Sequence, residues 1–148
     1  MNTTRKTLGQ CNVAAGAQAL ADEFREVASE HQVALAQSCD SCNTVLFPPM
    51  LGCPACASDR LSWIDCGVRA KVGTFVAVHT AEATPSMGIP GRLRDKVPYA
   101  SVFAIPDDYP AIRLAALVIG DDVAKVQIGA AVTLDATSLP LIASLVAG

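Results

Sequence analysis

Aromatic side chains are scarce in this sequence, 5% of 148 residues, and charged side chains make up only 17%. A surface that grips nucleic acid needs basic residues and stacking rings. With few rings and a formal net charge of −3, the chain offers neither in quantity. There is no G-x-S-x-G elbow, no Walker loop and no G-x-G-x-x-G, which leaves the chain poorly equipped to be an enzyme alone. The longest apolar stretches, Ala111 to Gly120 and Leu139 to Gly148, are too short to cross a bilayer, and Arg113 interrupts the first. No uninterrupted apolar core follows Arg5 and Lys6 as a secretory signal would require, so a cytoplasmic location is expected. In that reducing compartment six cysteines favour metal ligation or free thiols over three disulfides.

What the chain does have is apolar surface: 51% of its residues, an excess that suggests a face reserved for a partner. The length suits one compact domain, or a small metal module joined to a modest domain. Cys39-Asp-Ser-Cys42 and Cys53-Pro-Ala-Cys56 are two C-x-x-C knuckles separated by ten residues. Each knuckle folds two thiolates toward one point, and four sulfurs complete the closed tetrahedral shell of a structural zinc ion. Iron is the competitor, since the same shell suits a rubredoxin-like centre. Zinc is preferred because nothing else in the sequence suggests redox chemistry. The residue after each knuckle often needs φ > 0, which Asn43 tolerates; Ala57 would be strained there, which predicts a more open second knuckle.

Around this module, residues 14–31 place Ala17, Leu20, Phe24, Val27 and His31 on one face of an amphipathic helix, to be buried against its own domain or against a partner. Ala70 to Thr80 alternates Val72, Thr74, Val76 and Val78 against Phe75, Ala77 and His79, as a strand does. Tyr99 to Ile105 and Ala111 to Ile119 form two more strand-like runs about a PDDYP turn, followed by Ala131 to Ala136 and Leu139 to Val146. Short strands joined by turns predict a five-stranded OB-type β-barrel. The expected division is a helical segment over 1–33, a zinc ribbon over 34–66 and the OB-fold domain over 67–148. Between the first two barrel strands lies a long loop, Ala81 to Pro98, of the length that usually carries function. The two remaining cysteines, Cys11 and Cys66, read as free thiols, with Cys66 expected beside Trp63. No orienting third group supports a catalytic pairing of Cys66 with His79.

Taken in order, Phe24, Cys39-x-x-Cys42, Phe47-Pro48-Pro49, Cys53-Pro54-x-Cys56, Leu61-x-Trp63, Gly73-Thr74-Phe75, Val97-Pro98-Tyr99 and Val126-Gln127-Ile128-Gly129 resemble a known family. It is the zinc-ribbon plus OB-fold accessory proteins of acyl-CoA metabolism, catalogued as domain of unknown function family 35. The resemblance covers the chain from about Phe24 to about Ala136. It implies a non-catalytic zinc-binding subunit in a hetro-oligomer with a thiolase-fold enzyme of thiolytic cleavage, retro-Claisen or aldol cleavage, or acyl transfer, in lipid or aromatic compound degradation. In such assemblies the catalytic Cys and His belong to the partner, while the ribbon-OB chain stabilises it and helps close the CoA channel. Some members act instead with hot-dog-fold enoyl-CoA hydratases. The chain departs from the pattern in lacking Gly after each knuckle and in a longer N-terminus.

Arg92, Arg94 and Lys96 add an independent hint: three basic residues within five positions on the long loop of an acidic protein, donors of the kind that CoA phosphates require. A solvated loop with Asp95 nearby is the plainer reading. The rival function is a nucleic-acid-binding ribbon or OB module, which the charge and the shortage of aromatics disfavour.

Overall fold

A computed structural model describes residues 7–79, 98–137 and 141–146. Gly16, at φ 95°, turns the chain into helix α1 (Ala17–His31), so the helix starts three residues later than the periodicity suggests. It ends where Gln32 takes the left-handed conformation and its N–H bonds to the Ala28 carbonyl. Leu20 and Ala28 are buried while Phe24 and Val27 are half-buried; Ala17 and His31, expected on the same stripe, are exposed at the two ends.

The helix packs on a four-stranded antiparallel sheet ordered β1-β4-β2-β3. Its strands are β1 (Thr7–Gln10), β2 (Leu35–Cys39), β3 (Val45–Leu46) and β4 (Leu61–Asp65). Alternation along β2 sends Leu35 and Cys39 into one core with Leu20, Leu61 and Trp63. It sends Ala34 and Ala36 into a second core, with Ile64 and Cys66. The sheet is therefore covered on both faces, by the helix and by the second half of the chain, and every residue of β2 is buried. Cys66 consequently does not sit beside Trp63. Three positions apart on an extended chain, the two face opposite ways.

The second half is a closed barrel with strand order β5-β6-β7-β9-β8. Its members are β5 (Arg69–Val78), β6 (Tyr99–Pro106), β7 (Leu114–Ile119), β8 (Ala131–Asp135) and β9 (Leu141–Leu145). β7 and β9 run parallel and the other neighbours antiparallel. A 3₁₀ helix, Gly120–Lys125, precedes β8. The expected five-stranded barrel is present. Its first strand is not the simple alternation read from the sequence: the register shifts between Val72 and Thr74, around Gly73. Val72 points inward; beyond the bulge Phe75 and Ala77 pack against the core, while Thr74 and Val76 face out. A Cβ on Gly73 would lie 3.1 Å from the Phe103 carbonyl oxygen, which explains glycine at this corner.

The barrel core of Val72, Ala100, Val102, Leu114, Val118 and Val132 is continuous with the Ala34, Ala36, Ile64 and Cys66 face of the ribbon sheet. Buried packing thus runs across the expected boundary at residues 66 and 67. No helix among the described residues is long and apolar enough to cross a membrane.

Candidate metal centre

Two turns of the same construction carry the cysteines. In the first, the Asn43 N–H bonds to the Cys39 carbonyl at 2.9 Å and the Cys39 N–H to the Thr44 carbonyl at 2.9 Å. In the second, the Ala57 N–H bonds to the Cys53 carbonyl at 2.7 Å and the Cys53 N–H to the Ser58 carbonyl at 2.8 Å. Asn43 and Ala57 both stand at φ 64°. The second knuckle is therefore as closed as the first, against the expectation from Ala57. The bonds of the turn and the drive to converge four sulfurs hold the alanine in a conformation that L-residues other than Asn and Asp seldom adopt.

The Sγ atoms of Cys39, Cys42, Cys53 and Cys56 lie within 4.8 Å of one another. Cys39 and Cys56 approach to 3.5 Å, and Cys42 and Cys53 to 3.6 Å, so the closest pairs run between knuckles. Four sulfurs each about 2.3 Å from a tetrahedral zinc would stand about 3.8 Å apart, and the cluster is close to that size. Cys39 and Cys53 are buried; Cys42 and Cys56 are exposed. All four positions of the shell are supplied by the chain, which leaves no open coordination position for substrate and defines a structural site rather than a catalytic one.

The surroundings favour the thiolate at Cys42 and Cys39 and oppose it at Cys56. The Thr44 hydroxyl, 3.0 Å from Cys42 Sγ, together with the Thr44 N–H brings the Cys42 thiol down to about 6. Burial raises Cys39, but the N–H groups of Cys42 and Ser41 outweigh it and leave that thiol below its usual range. The Ser58 N–H pulls Cys56 down, yet the neighbouring Cys39 and Cys42 sulfurs push it up to about 12. Sulfurs this close compete for negative charge, and a divalent cation removes the conflict. The donor set, size and electrostatics thus fit zinc, held by these four cysteines.

Further bonds fix the knuckles to the scaffold. Ser41 Oγ donates to Ser58 Oγ at 3.0 Å, joining the two turns. Ser62 on β4 donates to Asp40 at 2.8 Å. Gln37, fully buried on β2, accepts from the Met50 N–H at 2.7 Å and donates to the Met50 carbonyl at 2.9 Å. Its amide thereby pairs with the connecting loop as a strand neighbour would. Sequence reading missed this role, although a glutamine inside an otherwise apolar run, with Leu35 and Ala36 before it, is a visible signal.

Cys11 and Cys66 stand apart from the cluster. Burial, augmented by the Asp65 charge, pushes the Cys66 thiol up to about 12. Burial does the same for Cys11, to about 12, against a hydrogen bond from the Gln37 amide. Such thiols are inert rather than nucleophilic, and His79 is exposed on the barrel. Arg92, Arg94 and Lys96 lie outside the described residues.

Fold and site together define a zinc-ribbon protein with an OB-type barrel. Residues 35–62, enclosing all four cysteines, match the family model described as ChsH2, rubredoxin-like zinc ribbon domain. Two solved structures share the wider architecture. One is described as an Ltp2-ChsH2 (DUF35) aldolase, 21% identical, with TM-score 0.61 over 84% of this chain and 91% of that one. The other is a DUF35-family protein of unknown function from Sulfolobus solfataricus, 13% identical, with TM-score 0.60 over 84% of each chain. No curated protein matches the sequence. The resemblance to a zinc-ribbon plus OB-fold architecture is borne out in the ribbon by the family model over 35–62 and, over 84% of the chain, by fold alone.

Proposed function

We propose that the chain is a non-catalytic, zinc-binding accessory subunit of a cytoplasmic thiolase-type acyl-CoA enzyme complex, stabilising a thiolase-fold catalytic subunit. The observation that carries this reading is the shared ribbon-and-barrel fold, which extends over 84% of the chain to a protein solved as an Ltp2-ChsH2 aldolase. The site chemistry agrees with it. The cysteines that converge form a closed metal shell, and the two that remain are buried with raised pKa values, so neither of them is an activated thiol. Catalysis on a thioester would then come from another chain, while this one braces it and adds to the CoA channel.

The test is to purify the chain alone and with a thiolase-fold enzyme encoded beside it. The pair should form a stable complex, and the enzyme should gain stability or activity from it. The isolated chain should turn over no acyl-CoA thiolase, hydratase or aldolase substrate. Turnover by the chain alone, or a neighbouring enzyme fully active and stable without it, would overturn the reading.

A further inference from the structure

Two hydrophobic cores flank the ribbon sheet, and an apolar cleft of about 200 Å³ lies where they meet. Phe24 packs against the helix-side core and Phe47 against the barrel-side core, and their rings face each other across 6.1 Å at a tilt of 55°. The floor of the cleft is buried: Ala28 and Leu35 come from the first core, Leu114 and Leu141 from the second. Its rim is not. Phe24, Val33 and Phe47 are half-buried there and Ala115 is exposed.

Packed interiors leave few gaps larger than a water molecule, so an opening of this size is a vacant position in the packing. Water fills it poorly, because an ordered water needs several polar partners and every described side chain lining the cleft is hydrocarbon. The walls are also fixed in advance. Phe24 lies 5.8 Å from the Trp63 ring, and Trp63 is tied to Glu23 of the same helix at 2.7 Å. Leu35, Leu114 and Leu141 sit on strands whose backbones are paired on the ribbon sheet and the barrel. A largely pre-formed, apolar concavity is the usual form of a small-molecule site.

Size and chemistry narrow the ligand. An apolar cavity of about 150 Å³ takes up benzene, so this cleft holds one ring or a short chain of similar bulk. It is smaller than the roughly 300 Å³ at which sites for whole drug-sized ligands begin, so a larger ligand can insert only one end. A polar group driven to the floor would lose its water and find no side-chain partner. We infer that the cleft is a binding site for the hydrocarbon end of an amphiphilic small molecule, with the polar part left in water at the rim. The site does not rest on the accessory-subunit reading and stands or falls separately.

Toluene, 1-hexanol and 1,6-hexanediol test this on the zinc-loaded full chain by proton–carbon NMR of the methyl groups. Toluene should shift the methyls of Val33, Leu35, Leu114 and Leu141 saturably, with a dissociation constant of about 1 mM or lower, well inside the ceiling for small ligands. Leu61 and Val132, core residues that do not line the cleft, should move far less. 1-Hexanol should displace toluene. 1,6-Hexanediol, which must bury a hydroxyl whichever end enters, should bind at least about tenfold more weakly than 1-hexanol. Toluene should also raise the melting temperature, as a ligand of the native state must. Ala28→Leu, which fills the floor, and Ala115→Phe, which covers the rim from an exposed position, should each weaken toluene binding at least about tenfold. Val146→Leu, an exposed change away from the cleft, should not. Shifts that fail to saturate, equal binding of the diol and the alcohol, failure of 1-hexanol to displace toluene, or toluene binding unchanged in Ala115→Phe would each overturn the inference.

Discussion

Glu23 on α1 accepts the indole N–H of Trp63 at 2.7 Å. The same oxygen accepts the Asn12 backbone N–H at 3.1 Å, so one carboxylate ties the helix to β4 and to the segment after β1. Phe24, next along the helix, tilts against Trp63 with ring centroids 5.8 Å apart and against Phe47 at 6.1 Å. Trp63 is 1% exposed, and loss of its acceptor would strand a buried donor. Glu23→Ala should therefore destabilise the protein by about 1–3 kcal/mol. Urea denaturation of Glu23→Ala, Trp63→Phe and the double variant measures this. The double variant should lose less than the two single losses combined.

Zinc should be present at one ion per chain and be required for the ribbon. Structural zinc contributes on the order of 10 kcal/mol in small modules, so Cys53→Ser should lose the metal and melt far lower. Elemental analysis with a thermal scan checks both. Unchanged zinc and melting in that variant would refute the four-cysteine site.

Ala57 stands at φ 64° without the side-chain amide that makes the same conformation tolerable at Asn43. Ala57→Gly should relieve about 1 kcal/mol of backbone strain and raise the melting temperature by a few degrees. Asn43→Gly should gain little. Differential scanning calorimetry of the zinc-loaded variants would separate these outcomes, and equal shifts would argue against strain at Ala57.

Cys66 should impose an alkaline limit on stability. Its folded pKa is raised from 9.0 to about 12 by burial, so between those values the unfolded chain releases the proton while the native protein keeps it. The unfolded state then binds fewer protons, and stability falls as pH rises through that window, with the full value kept below pH 9. Denaturant midpoints at successive pH values should fall less steeply in Cys66→Ala. In the native protein at pH 8 the thiol should also resist alkylation.

The basic segment outside the described residues carries a prediction that depends on the accessory reading. Changing Arg92, Arg94 and Lys96 together to Glu in the assembled complex should raise the apparent KM for acyl-CoA, more at low salt than at high salt. Zinc content should be untouched. Exposed charges are each worth about 1 kcal/mol or less, so single alanine changes should do almost nothing. Unchanged kinetics at low salt would return the segment to a solvated surface.

The metal shell was legible because its chemistry is local: two C-x-x-C pairs bring their own geometry wherever they occur. The barrel strands were legible for a similar reason, since alternation and turn residues signal them directly. What escaped reading depended on neighbours distant in sequence. β1, a polar Thr-Leu-Gly-Gln, carries little strand signal of its own and forms because β4 accepts it as a neighbour. The inversion of β5 at Gly73 follows from the close approach of Phe103 and Ile105, which no period-two count contains. Cys66 was misplaced because its cover comes from the barrel and not from the adjacent tryptophan. Nothing in the sequence sets Glu23 apart from the other acidic residues of the helix; the fold alone brings Trp63 against it.

Closure of the barrel has a consequence for how the chain can be met by others. Among the described residues every barrel strand has a neighbour on each side, so no barrel strand is an open edge along its whole length. Among the described residues, strands lacking a neighbour on one side are the ribbon's β1 and β3, which are four and two residues long. Those are too short to template the strand addition by which exposed edges recruit further chains. A partner that meets these described strands reads their side chains more than their backbone, and substitutions on the outer walls can tune association without rewriting the backbone pairing that holds the fold.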